Sequence, residues 1–185
     1  MIYFVRHGST DWNDNINSQG KKDPRCQGRV DIPLNANGVE EAKVTAEKLK
    51  DVAFDRIICS PLTRAVQTCE IICKDKSQIE IDFRLIERDF GEFEGLSRHD
   101  FDFHSFCNIN NKKQYQNVEP LKDVKKRIYD FIEELKLTPE KNVLIVSHGG
   151  VGCVFASYFK GIPEDGDLSH LEIPHGKPVC FDFNQ

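Results

Sequence analysis

Five short apolar runs, separated by helical and irregular stretches, set the fold open to this chain. Residues 2–5, 56–59, 79–82, 143–147 and 178–183 read as strands. Most of them lack the apolar–polar alternation of a sheet with one wet face, so they suit a sheet covered on both sides. Between them lie helical patterns. Residues 38–50 place Val39, Ala42, Ala46 and Leu49 on one stripe, with Glu40, Glu41, Lys43 and Glu47 facing water. Residues 121–137 repeat the pattern with Leu121, Val124, Ile128, Phe131 and Leu135. Residues 61–72 and 151–159 read as more buried helices. Strands alternating with helices predict an α/β fold, a three-layer α/β/α sandwich around a mainly parallel central sheet.

No repeat or linker divides the sequence, and 185 residues suffice for one core, so the expectation is a single domain over 1–185. Two stretches depart from regular structure. Residues 13–31 are polar, carry Gly20, Pro24 and Gly28, and predict a long loop of the kind usually kept for function. Residues 106–120, rich in Asn, Lys and Gln, predict an excursion over one end of the sheet. A variable cover at about 97–120 follows.

Composition excludes several classes. A formal net charge of -5 gives no global attraction for nucleic acid or anionic membrane. A bound phosphate must therefore be held by a local cluster of cations. No apolar stretch approaches the roughly 20 residues of a membrane helix. The start, Met1-Ile2-Tyr3-Phe4-Val5, is too short for a signal peptide and reads as the first strand. Seven cysteines with no CxxC pair, several inside apolar runs, fit free thiols and a cytoplasmic location. Cys69 and Cys73 lie four apart on a helix, but no second His or Cys pair accompanies them, and no metal is expected. His99, His104, His170 and His175 show no convergence toward one either.

In open α/β sheets ligands bind beyond the carboxyl ends of the strands. Three strands deliver unusual residues there. The first ends in Arg6-His7-Gly8, the second leads through Ser60-Pro61-Leu62-Thr63 to Arg64 in a first helical turn, and the fourth ends in Ser147-His148-Gly149-Gly150. Two arginines and two histidines thus converge from distant parts of the chain. Guanidinium forks match phosphate oxygens, and nearby cations favour a neutral imidazole. A neutral ring nitrogen can attack phosphorus and split one hard step into two. The glycines admit close approach of the backbone and offer N–H groups. The segment from Glu87 to Glu94 supplies four carboxylates, Glu87, Asp89, Glu92 and Glu94, and spacing alone does not choose among them.

These residues carry a resemblance. Arg6-His7-Gly8-Ser9-Thr10 with Trp12-Asn13 resembles the opening signature of the histidine phosphatase superfamily, the phosphoglycerate mutase-like proteins. The similarity continues through Gln27-Gly28, Asp31-Ile32-Pro33-Leu34-Asn35, Gly38 and Ser60-Pro61-Leu62. It runs on through Arg64-Ala65, Gln67-Thr68, Leu85-Ile86-Glu87, Gly91 and Glu94-Gly95-Leu96 to Ser147-His148-Gly149-Gly150. The resemblance implies a phosphoglycerate mutase-like fold and no cofactor. It implies His7 as the nucleophile that becomes phosphorylated and Arg6, Arg64 and His148 as the phosphate pocket. By the same token Glu87 is the proton donor and base, Asn13 bonds the phosphate, and Gln27, Gly28 and Gly149 line the substrate site. The chain departs from the family in its first loop. Thirteen residues, longer than the usual stretch, separate Asn13 from Gln27. They add Lys21, Lys22 and Arg25, with Arg29 just beyond, which could hold a second anionic group.

The expected activity is hydrolysis of a small-molecule phosphomonoester without metal. Mutases of the family need a longer insertion to keep water from the phosphohistidine, and only residues 97–120 are available here. The Asp89-Phe90-Gly91-Glu92-Phe93-Glu94-Gly95 run is similar to the phosphatase branch. Mutase-type phosphoryl transfer and a silent phospho-ligand binding protein are the alternatives. Phe101, Phe103, Phe106 and Tyr115 form either an apolar wall for the leaving group or the cover's own core. The sequence carries no signal for oligomeric state.

Overall fold

The apolar runs become strands where the sequence places them. In the computed structural model, which describes residues 1–73, 75–138 and 141–183, they form one five-stranded sheet. The strands are β1 (Ile2–Arg6), β2 (Arg56–Cys59), β3 (Ile79–Ile81), β4 (Val143–Ser147) and β5 (Val179–Phe181), in the order β3-β2-β4-β1-β5. All neighbours are parallel except β1 and β5. Among the described residues five α-helices accompany them: α1 (Ala36–Leu49), α2 (Thr63–Ile72), α3 (Phe103–Cys107), α4 (Leu121–Lys136) and α5 (Gly149–Lys160).

The register explains why the three central strands β2, β4 and β1 are apolar. Ile58, Ile145 and Phe4 form one cross-strand row, and Ile57, Leu144 and Tyr3 form the next. Successive side chains point to opposite faces, so each row meets a different helix layer. The first joins Ile128, Ile132 and Phe131 of α4 and Val154 and Phe155 of α5. The second joins Leu49 of α1, Ala65 and Cys69 of α2 and the adjoining Cys73, with Cys59, Val146 and Val5 on the same side. Two cores on two faces make the three layers. Among the described residues no helix is long and apolar enough to cross a membrane.

Local signals set the helix ends near the sheet's carboxyl edge. α1 starts two residues earlier than its apolar stripe suggests, because the Asn35 side chain accepts the Gly38 N–H at 2.8 Å and caps it. α5 begins at Gly149, directly after His148 leaves β4. The 13–31 stretch is a long loop, pinned by an isolated bridge between Ile16 and Lys22 and another between Arg25 and Ser97. The cover contains the short helix α3, which the sequence pattern does not show. Phe106 is buried there with Cys26 and Phe90, and Phe93, Phe101, Phe103 and Tyr115 pack around them.

The turn after β1 passes so close to α1 that backbone meets backbone. A Cβ on Gly38 would stand 2.0 Å from the Ser9 carbonyl oxygen, and one on Gly8 would stand 2.3 Å from that of Gly38. Neither neighbour is a side chain that can swing away. Gly38→Ala should therefore destabilise the protein by about 2 kcal/mol or more, whereas the exposed Val44→Ala on the same helix should stay within about 0.5 kcal/mol. Urea unfolding of the two variants tests this, and equal stabilities would contradict the close approach.

Candidate active site

The pairing of β1 with β4 sets Arg6 opposite Ser147, and the His7 N–H donates to the Ser147 carbonyl at 2.9 Å. The next residue on each strand is a histidine. His7 and His148 therefore lie side by side, ring centroids 5.1 Å apart. β2 flanks β4 on its other side and leads into α2, whose first turn carries Arg64. All four side chains are buried, with Arg64 and His148 at zero exposure.

The state of His7 follows from its contacts. Its Nδ1 lies 2.7 Å from the Gly8 carbonyl oxygen. A carbonyl only accepts, so Nδ1 carries the proton and Nε2 keeps its lone pair. Arg64 Nε donates toward that Nε2 at 3.3 Å. Burial, with Arg64, His175 and Arg6 nearby, holds the His7 pKa well below the ordinary 6.5. The ring is a neutral base at neutral pH. Arg64 is itself tethered, with Nη1 donating to the Val30 carbonyl at 2.9 Å and Nη2 to that of Gly28 at 2.6 Å. Burial lowers its pKa to about 10, which leaves it a cation.

His148 is held from one side only. Its Nε2 lies 2.6 Å from Ser60 Oγ, while its Nδ1 is buried without a partner. With the Ser60 hydroxyl donating, the proton of the neutral ring sits on Nδ1. Burial, followed by Arg64 and His7, depresses its pKa well below 6.5. Arg6 donates through Nη1 to Glu172 at 2.6 Å and to the Ile173 carbonyl at 3.2 Å, and its Nε is buried and unpartnered. Among the described residues only three buried side-chain polar atoms lack a partner: Arg6 Nε, Arg98 Nε and His148 Nδ1. Arg6 and Arg98 line one cavity, and His148 packs against the His7 that faces it. Buried donors without acceptors are costly. Two of the three belong to arginines that line the cavity, and the third sits on the histidine beside His7.

Of the four carboxylates only Glu87 lines the cavity. It is buried and accepts the N–H groups of Arg88 at 2.8 Å, Gly150 at 3.0 Å and Val151 at 3.3 Å, at the N-terminus of α5. Glu94 accepts from the N–H groups of Arg29, Val30 and Phe90, and Asp89 accepts from that of Gly91. The Arg88 side chain is spent on the carbonyls of Glu119 and Phe106. One correction concerns the glycine N–H groups. That of Gly8 is taken by Thr68 Oγ1 at 3.0 Å and that of Gly150 by Glu87, so neither is free for a ligand.

Asn13, Gln27, Gly28 and Gly149 all line the cavity. Asn13 Oδ1 accepts from the N–H and hydroxyl of Thr10, and the Gln27 amide donates to the same hydroxyl. Lys21, Lys22, Arg25 and Arg29, by contrast, do not line it. Arg25 reaches the Gly95 carbonyl and Arg29 reaches Glu119, while both lysines are exposed. The further cation comes from the cover instead, as Arg98, whose guanidinium lies 4.5 Å from the Phe103 ring. Phe103, Phe106, Leu121, Val124 and Leu168 make the rest of the wall apolar. The aromatic residues of the cover thus serve both expected uses, with Phe103 and Phe106 in the wall and Phe101 and Tyr115 behind them. Cys26, Cys107 and Cys153 also face the cavity, and burial pushes Cys26 up to about 12 and Cys107 to about 11, so these thiols stay protonated. The sequence reading missed Arg98, Glu172 and His175 as residues of this site. His175 donates through Nδ1 to the His7 carbonyl at 2.5 Å.

With the geometry in place, comparison with known proteins gives a consistent picture. A sequence profile of the histidine phosphatase superfamily (branch 1) matches residues 2–184. The uncharacterised phosphatase PhoE of Bacillus subtilis is 34% identical, over 99% of this chain and 93% of its own. The 2,3-bisphosphoglycerate-dependent phosphoglycerate mutase 2 of Lactiplantibacillus plantarum is 29% identical, over 100% and 94%. The crystal structure of α-ribazole phosphatase from Shigella flexneri matches with a TM-score of 0.80 at 28% identity, over 96% of this chain and 87% of that one.

The buried imidazoles make stability depend on pH. An unfolded histidine titrates near 6.5, whereas His7 and His148 are held well below that value and His175 is held at about 4 by burial and then Arg6. Below about 6.5 the unfolded chain binds protons that the native one refuses, so native stability is full above that pH and falls as pH drops toward 4. Urea unfolding across this range should show the decline, with a shallower slope in His175→Asn. Equal slopes would contradict the neutral, buried state assigned to His175.

Proposed function

The chain belongs to the histidine phosphatase superfamily, and from that premise we propose that it hydrolyses a phosphomonoester through a covalent phosphohistidine on His7. The observation that carries this reading is the lone pair on His7 Nε2, set among buried donors that have no acceptor. Arg6, Arg64 and the Nδ1 proton of His148 take the three oxygens of the phosphoryl group and stabilise its charge in transit. Nε2 of His7 attacks phosphorus in line, the bond to the ester oxygen breaks, and Glu87 gives that oxygen its proton. As a carboxylate Glu87 then takes a proton from water. The hydroxide attacks phosphorus, the P–N bond breaks, and its electron pair returns to Nε2 as phosphate leaves. The protein's own cations do this work, so the reaction needs no metal. Asn13, Gln27, Gly28 and Gly149 frame the phosphate, and Phe103, Phe106, Leu121 and Leu168 receive the leaving group.

Hydrolysis is favoured over mutase chemistry by length. The alignment with the Lactiplantibacillus mutase runs to 224 positions against the 185 residues here, so at least 39 of those positions have no counterpart in this chain. A mutase must shield its phosphohistidine from water while the intermediate turns around, and this cover is short.

Phosphate release from p-nitrophenyl phosphate and a panel of natural monoesters, with EDTA present, tests the reading. Wild type should turn over, and His7→Ala should lose activity by about 10³-fold or more. Arg98→Ala should raise KM about tenfold for esters whose alcohol carries a second anionic group, with little change for p-nitrophenyl phosphate, since one charged hydrogen bond is worth roughly 1.5–3 kcal/mol. Activity that persists in His7→Ala would sink the mechanism. A requirement for a bisphosphorylated primer would turn the reading to a mutase.

A further inference from the structure

The segment between α5 and β5 belongs to none of the motifs that mark the site, yet it makes three contacts with the tip of β1. Glu172 accepts Arg6 Nη1 at 2.6 Å, the Ile173 carbonyl accepts the same nitrogen at 3.2 Å, and His175 Nδ1 donates to the His7 carbonyl at 2.5 Å. His175 also forms an isolated bridge with Arg6 and sets its ring 5.4 Å from that of His7. The segment is anchored from behind. Leu168 and Ile173 are buried in the core under α5, and Ile173 packs so tightly that a Cβ on Gly152 would touch it at 3.1 Å.

We infer that Glu172 and His175 are positioning residues, a brace that fixes the nucleophile and its neighbouring arginine for attack. The inference rests on the phosphohistidine reading of His7. The geometry gives each contact a distinct task. Glu172 and Ile173 occupy Nη1 of Arg6, and this turns the other edge of the guanidinium, with its unpartnered Nε, over Gly149. A Cβ there would lie 3.0 Å from Cζ and 3.1 Å from Nε. An Arg6 without that tether has many rotamers and meets the phosphate oxygens only part of the time. His175 holds the peptide of His7 itself. The His7 carbonyl belongs to the same peptide link as Gly8, whose own carbonyl fixes the ring through Nδ1. A shift of that link swings the ring and its Nε2 lone pair off the line of attack. A misplacement of about 1 Å at a reacting centre can cost on the order of a hundredfold in rate. The brace is also unusual in its exposure: the Glu172 side chain is 59% exposed against 7% for Arg6, so it can be altered without opening the core.

Four variants test the brace: His175→Ala, His175→Asn, Glu172→Ala and Glu172→Gln. An asparagine amide places a donor where Nδ1 of histidine stands, and a glutamine keeps an acceptor for Arg6. With p-nitrophenyl phosphate, His175→Ala should lower kcat about tenfold or more with KM within about threefold, and His175→Asn should recover most of it. Glu172→Ala should raise KM, and Glu172→Gln should restore it. Orthovanadate affinity by calorimetry gives a readout that needs no turnover. It should fall about fivefold or more in each alanine variant and return in its conservative partner. Alanine variants with kcat, KM and vanadate affinity all within twofold of wild type would overturn the brace. So would losses that track thermal stability and are not recovered by Asn or Gln. A wild type that binds vanadate but hydrolyses no ester would count against the phosphohistidine reading, while the vanadate comparison would still decide the brace.

Discussion

The whole site hangs on one backbone pairing. β1 and β4 run parallel with Arg6 opposite Ser147, so the residue after each strand is a histidine at the same height on the sheet edge. A slip of one residue would turn the apolar set of a strand to the wrong face. Phe4 would leave the row of Ile58 and Ile145, and Val5 would leave that of Cys59 and Val146. The two cores that fix the register therefore also fix the distance between His7 and His148. Function is built on the same alternation that makes the fold.

The electrostatics follow from that placement. A protein of net charge -5 gathers Arg6, Arg64, Arg88 and Arg98 around one cavity. Three of these guanidinia have part of their donor set satisfied by fixed partners: the carbonyls of Gly28 and Val30 for Arg64, those of Glu119 and Phe106 for Arg88, and Glu172 and the Ile173 carbonyl for Arg6. Arg6 Nε and Arg98 Nε are left buried without a partner. Such preorganised donors strengthen charge stabilisation because nothing must reorient when the charge arrives. The same burial keeps His7 neutral, the state its proposed role as nucleophile requires. Stability at low pH is surrendered for that state.

Much of this was legible in the sequence, and the limits are physical. The five strands, their mainly parallel arrangement and the long helices follow from apolar runs and helical stripes whose signals are local. His7, Arg6, Arg64 and His148 could be brought together because they sit at strand or helix ends, whose location in an α/β fold is general. Spacing could not single out Glu87 among the four carboxylates, and the structure shows why. Glu94 and Asp89 serve as acceptors for loop N–H groups, which no pattern of charges reveals. The loop cations misled because a basic residue in a loop is equally able to cap a carbonyl, as Arg25 does at Gly95. Glu172 and His175 stayed hidden because their partners are more than 160 residues away in sequence. The Gly8 N–H looked free until Thr68, sixty residues on, was seen to accept it.

The central claim is a covalent bond between His7 and phosphorus, and trapping that species tests it most directly. Wild-type protein mixed with a monoester substrate, quenched in alkali within one turnover and digested, should yield a peptide containing His7 that carries one phosphoryl group, stable in base and labile in acid. The modification should be absent from His7→Ala. Turnover without any phosphorylated peptide, or a phosphoryl group found on another residue, would contradict the account.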